Sequence, residues 1–140
     1  MGYTHYFSQK EELDTVKWSK FIKDVNSLLK LTPICSLKEE SDSPNPPIVN
    51  NKVVRFNGLA NNGHETFWLD RKYRLAYDNE QPDENGYWFN FCKTARKPYD
   101  IYVVAVLELA KKHFGDDIRL GSDGNDEELA DGKELAGQIW

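Results

Sequence analysis

Between Asp14 and Pro33 the apolar residues Trp18, Phe21, Ile22, Val25, Leu28 and Leu29 recur at the i, i+3, i+4, i+7 spacing of one helix face. Asp14 is a good N-cap, so the pattern predicts a helix from Thr15 to Leu31 that stops before Pro33. Its other face carries Lys17, Lys20, Lys23 and Lys30 and is expected to be solvated. Ahead of it, Gly2 to Phe7 alternates aromatic with small or polar side chains and reads as a first strand. After it, Ser36 to Asn51 holds charged residues, serines, asparagines and prolines with little to bury, the pattern of an exposed loop. Lys52 to Asn57 and His64 to Leu69 read as two strands of a hairpin joined through Asn61-Asn62-Gly63. Arg71 to Tyr77 reads as a third short strand, and Gly86 to Cys92, with Tyr87, Trp88, Phe89 and Phe91, as a further one.

A second helix is expected from Pro98, in its first turn, to Gly115 at its C-terminal end. Val103, Val106, Leu107, Ala110 and Phe114 form one apolar stripe, and Ile101, Val104 and Ala105 form another. A helix apolar on two sides belongs between a sheet and another layer. Asp117 to Leu120 is the last expected strand, and the tail after it, with Leu129, Leu135 and Ile139, carries a short, weakly patterned acidic helix. This order predicts an α+β fold, an elaborated ferredoxin-like (split βαβ) antiparallel sheet with two main helices on one face. Residues 1–140 read as one domain, with an exposed loop at 36–51 and an acidic tail at 123–140.

Length and charge narrow the functional classes. A chain of 140 residues can bury a core of its own. With 18 Lys plus Arg against 23 Asp plus Glu, its net charge of −5 disfavours a general grip on a phosphate backbone, so nucleic-acid binding is not expected. The two cysteines, Cys35 and Cys92, lack metal-ligand spacing, and no metal or cofactor is expected. The N-terminus lacks a secretion signal, no run approaches the ~20 apolar residues of a membrane span, and the expected setting is a cytoplasm that keeps both thiols reduced.

Candidate chemistry gathers at Cys92-Lys93-Thr94-Ala95-Arg96-Lys97, ahead of a helix N-terminus where backbone N–H groups lack partners. A hydroxyl and cations there suit a phosphate or carboxylate, while the bland alternative is a loop that caps its own helix and pairs with Asp100. His64-Glu65-Thr66 places a histidine and a threonine on one strand face, as two-histidine phosphoesterases do, but the partner motif is missing, since Thr4-His5-Tyr6 has the wrong order. A trio of Cys92, His64 and Asp100 has no spacing signature, and a buried thiol is the simpler reading of Cys92. The candidate ligand-binding set is His64, Lys93, Thr94, Arg96, Tyr99, Asp100, Ser122 and Asp123, with no catalytic residue assigned. Aromatic residues on several strands, such as Tyr3, Tyr6, Phe67, Tyr87 and Phe89, could stack bases, but basic companions are sparse on those strands.

Gly2-Tyr-Thr-His-Tyr6, Phe56-Asn-Gly58, Gly63-His-Glu-Thr-Phe67, Phe91-Cys-Lys-Thr-Ala-Arg-Lys-Pro-Tyr-Asp100 and Ser122-Asp-Gly124 follow one another along nearly the whole chain. In these blocks the sequence resembles a family of small bacteriophage and prophage proteins. The resemblance implies a viral protein in the host cytoplasm and no particular activity. The leading expectation is a non-enzymatic binding protein, an inhibitor of a host anti-phage defence protein. The alternative is a binder or hydrolase of a nucleotide-like anionic metabolite at the 92–100 loop and helix start.

Overall fold

The computed structural model describes residues 2–31, 34–74 and 80–140. It is an α+β fold built on β1 (Thr4–Lys10), α1 (Thr15–Leu29), β2 (Leu37–Lys38), β3 (Ile48–Val49), β4 (Val53–Gly58), β5 (Phe67–Asp70), β6 (Tyr87–Lys93), α2 (Asp100–Phe114), β7 (Ile118–Ser122) and α3 (Asp126–Gly137). Instead of one continuous sheet, the ladders fall into two. β1 lies between β6 and β7, antiparallel to both, with His5 opposite Cys92 on one side and Ser122 on the other. The second sheet centres on β4, which pairs antiparallel with β2, β3 and β5.

Alternation along β1 sets the layers. His5, Phe7 and Gln9 point inward and are buried, as is Tyr3 just before the strand, while Thr4, Tyr6, Ser8 and Lys10 are only partly covered. Phe7 meets Phe67 of β5 at 5.4 Å between ring centres, and Phe67 meets Phe56 of β4 at 5.2 Å, so both sheets feed one core. α1 closes that core with Trp18, Phe21, Val25 and Leu28, the stripe expected from its spacing, and Asp14 caps it by accepting from the Lys17 N–H at 2.9 Å. α2 is buried continuously from Tyr102 to Leu107, and it ends at Gly115, whose φ of 55° is the left-handed region that glycine adopts without strain.

Three differences from the expected pattern have physical causes. The 36–51 segment carries β2 and β3, which clasp β4 and leave much of the segment half-buried. Two-residue strands have no periodicity of their own and exist through the edges they pair with. The expected strand at Arg71–Tyr77 is represented by one bridge, Glu12 to Lys72, and its positions 75–77 lie outside the described residues. The acidic tail forms a full third helix, started by a capping box between Asn125 and Glu128 and packed on α2 through Gly132, Leu135 and Ala136.

The α2–α3 contact depends on Gly132. A Cβ there would lie 2.4 Å from Val104 Cγ1 and 2.5 Å from Val104 Cβ. Intrinsic helix propensity favours Gly132→Ala by ~1 kcal/mol. Overpacking against α2 is expected to reverse the sign and destabilise the protein by about 1–3 kcal/mol. Urea unfolding checks this, and a stabilised Gly132→Ala would show that α3 is not seated as described.

Candidate functional site

The polar centre forms where the end of β6, the start of α2 and the end of β7 meet around β1. After β6 the chain reverses sharply: the N–H groups of Thr94 and Ala95 both donate to the Tyr3 carbonyl at 3.1 Å, and Ala95 and Arg96 take φ of 53° and 57°. This turn sets Asp100, the first residue of α2, against His5. His5 is 2% exposed, with Nε2 2.6 Å from Asp100 Oδ1 and Nδ1 2.8 Å from Ser122 Oγ. Thr94, fully buried, donates its hydroxyl to the same Asp100 oxygen. The Gly124 N–H donates to Ser122 Oγ at 2.9 Å.

These contacts define a directional chain. With the ring proton on Nε2, His5 donates to Asp100 and presents Nδ1 as an acceptor to Ser122. Ser122 Oγ accepts from the Gly124 N–H and also bonds the Tyr3 hydroxyl, and in this tautomer Nδ1 is an acceptor for its proton. The Tyr3 ring stands edge-on to His5, with centroids 5.2 Å apart, and burial, more than the nearby Asp100 charge, raises the Tyr3 phenol. The Arg96 guanidinium covers the other side of Tyr3 at 4.1 Å.

Of the predicted residues, Asp100 and Ser122 converge on His5, and Thr94 joins them through Asp100. Arg96 is engaged by Glu128, Nε to Oε2 at 3.0 Å, a contact that lowers the Glu128 carboxyl. Tyr99 is buried and donates to the Glu65 carbonyl, burial raising its phenol well above the ordinary range. The Lys93 N–H donates to the Glu65 carboxylate at 2.8 Å, while the Lys93 side chain runs beside Gly2. Asp123 accepts from the Thr4 N–H at 3.0 Å and the Tyr6 hydroxyl at 2.9 Å. His64 stands apart and exposed, its main chain held by the buried Asn57 side chain, which accepts from its N–H and donates to its carbonyl. The polar side chains of Thr94, Arg96, Tyr99 and Asp100 thus bind the protein itself: Thr94 pairs with Asp100 as the alternative expected, while no loop side chain caps the α2 N-terminus.

Cys92 lies behind the site, its thiol pushed up to about 12 by burial and therefore neutral near pH 7. Sequence reasoning misses His5, because it does not stand two residues before a threonine. The available signal was phase: His5 alternates with Tyr3 and Phe7, so it shares the buried face of its strand. Among the described residues, no group of three or more His, Cys, Asp or Glu side chains is placed to hold a metal ion.

Clefts open along α2 where it meets α3. One, of about 250 Å³, opens between β7, α2 and α3 and is lined by His5, Ser122, Leu107, Leu120, Leu129 and Lys133, among others. Another, of about 260 Å³, lies between the 96–98 turn and α3 and sets Arg96 and Lys97 against Asp100, Glu128 and Asp131. Neither lining is distinctly cationic.

The far side of the β6–β1–β7 sheet presents a different surface. Phe89 and Phe91 are 54% and 51% exposed. Tyr6 stacks on Phe89 at 6.1 Å, and Phe89 tilts onto Phe91 at 5.9 Å. Lys10 and Arg119 cover Tyr87 at 4.3 Å and 3.7 Å, and Lys93 shares the outward phase of Phe89 and Phe91. Gly121, opposite Tyr6 in the ladder, adds no side chain to screen that ring. Among the described residues, no helix is long and apolar enough to cross a membrane. Comparison with family models, curated proteins and solved structures finds no match to this chain.

Proposed function

We propose that this chain is a binding protein whose partner is another protein, docked on the outer face of the β6–β1–β7 sheet. The observation that carries the reading is the half-exposed pair Phe89 and Phe91, continuous with Tyr6 on the neighbouring strand. Contiguous exposed aromatics mark interaction sites, and aromatic anchors dominate the energy of protein interfaces. Lys10, Lys93 and Arg119 rim the patch in a chain of net charge −5, so the local sign opposes the global one. The complementary partner has an apolar centre and an acidic rim.

A nucleic-acid strand fits less well. The Tyr6 hydroxyl is tied to the Asp123 carboxylate, and Arg119 is 3.3 Å from an Asp83 oxygen, so a phosphate chain would meet anions among the cations. The resemblance to phage proteins favours a host protein as partner and the host cytoplasm as the place of action, with inhibition of a defence component as the expected consequence. The β7–β1–β6 order, with helices following β1 and β6, supports a ferredoxin-like frame in which the β4 sheet occupies the region beyond β6.

Affinity capture from a bacterial host tests this reading. Phe89→Asp combined with Phe91→Asp is expected to abolish capture of the partner, each aromatic anchor contributing about 2 kcal/mol or more, roughly thirtyfold in Kd. Both side chains are half-exposed, so the cost to stability should be limited to the lost Tyr6–Phe89 and Phe89–Phe91 contacts and the poor strand propensity of Asp, about 1–2 kcal/mol, and circular dichroism confirms that the variant is folded. Retention of the same partner by the folded double variant contradicts the proposal, as does a nuclease-sensitive complex with a single-stranded oligonucleotide.

A further inference from the structure

We propose that Ser122 is a nucleophile, with His5 as its general base, acting on the ester of a small acyl group seated in the cleft between β7, α2 and α3. This site lies on the inner side of the sheet and is independent of the aromatic face. Three features of a serine nucleophile are present together. The hydroxyl is 2.8 Å from the base nitrogen, and the base's other nitrogen is 2.6 Å from the carboxylate that orients it. The third is access, because Ser122 is only partly buried and lines the cleft, while His5 and Thr94 behind it are shut from solvent.

A structural strut explains less of this arrangement. Joining β1 to α2 requires only the His5–Asp100 contact. Thr94 adds a second donor to Asp100, fixing the carboxylate and with it the tautomer that leaves Nδ1 free to take a proton. At the other end, the Gly124 N–H and the Tyr3 hydroxyl hold Ser122 Oγ beside His5 Nδ1. Gly124 itself must lack a side chain, since a Cβ would lie 2.1 Å from the Tyr3 hydroxyl.

The cleft sets the substrate class. Its volume of about 250 Å³ is at or below the small end of ligand pockets, and Val104, Leu107, Leu120 and Leu129 make much of its wall apolar. Short acyl chains fit this description, with Lys133 offering a cation to the carbonyl oxygen. Ser122 Oγ bonds to the carbonyl carbon as its proton passes to His5 Nδ1. The carbon–oxygen bond to the alcohol then breaks, and the leaving oxygen takes the proton from Nδ1. Water repeats both steps, releasing the carboxylic acid and restoring the serine. Asp100 is a positioning residue throughout.

A fluorophosphonate probe, which reacts with activated serines, tests the assignment. Intact mass and peptide mapping of the wild-type protein should show one adduct, on Ser122, that is absent in Ser122→Ala. In Asp100→Asn, which keeps the side-chain shape but no longer fixes the tautomer, labelling should slow at least tenfold at unchanged circular dichroism. If Asp100→Asn does not fold, Ser122→Ala carries the test, because its site is half-exposed at a strand end. No adduct on Ser122 of the folded wild-type protein, under conditions that label a serine esterase completely, overturns the proposal. Equal labelling of wild type and a folded Asp100→Asn overturns the role of Asp100.

Discussion

Truncating Trp18 to alanine is expected to lower the unfolding free energy by about 3–5 kcal/mol, the range for loss of a buried aromatic side chain. Trp18 is 1% exposed and makes three kinds of contact. Its ring meets Phe21 edge-on at 5.2 Å and Phe114 of α2 at 6.0 Å, which joins the two long helices. Its indole N–H donates to the Asn50 carbonyl at 2.9 Å, which anchors the turn between β3 and β4. The alanine variant therefore leaves both a cavity and an acceptor without its donor. Trp18→Phe separates these effects: it keeps most of the apolar volume and should forfeit a smaller share, with ~1 kcal/mol from the hydrogen bond. Urea unfolding of the two variants measures the split, and equal losses would place the energy in the hydrogen bond rather than in packing.

The second large effect is expected at Asp100. Asp100→Ala leaves the His5 Nε2–H and the Thr94 hydroxyl, both buried, without their acceptor. At about 1–3 kcal/mol for each stranded group, the loss should be ~2–6 kcal/mol. Thr94→Val removes one donor while keeping the side-chain shape and should destabilise by only ~1 kcal/mol. In the Thr94→Val background, Asp100→Ala should therefore do less damage than alone, a coupling that a double-mutant cycle reads directly. Additive losses would mean that the two residues do not share the network described.

These two sites show what the sequence carried and what it left out. Trp18, Phe21, Val25 and Leu28 were legible because a helix with one buried stripe writes its period into the chain, and β1, β4, β6, α2 and β7 were legible by similar means. β2 and β3 were not, because Leu37-Lys38 and Ile48-Val49 are held by the edges of β4 rather than by any local preference. α3 was half legible: its capping box is local, while its seat on α2 depends on the missing side chain of Gly132.

The candidate site divides in the same way. Asp100 and Ser122, like Thr94, are polar residues at element ends, yet nothing local says whether they face a ligand or the protein. They face His5, more than ninety residues away in the case of Asp100, through a strand order that no short window encodes. The exposure of Phe89 and Phe91 is likewise tertiary, since alternation marks one face of β6 without saying which face the helices cover.

Photo-crosslinking inside the bacterial host reads whether the aromatic face of the β6–β1–β7 sheet is the docking surface. A benzoylphenylalanine replaces Phe91 in one sample and Gln138, exposed just beyond α3, in another. A single discrete protein adduct is expected from position 91 and none from position 138. No adduct from position 91, or the same adducts from both positions, would contradict it.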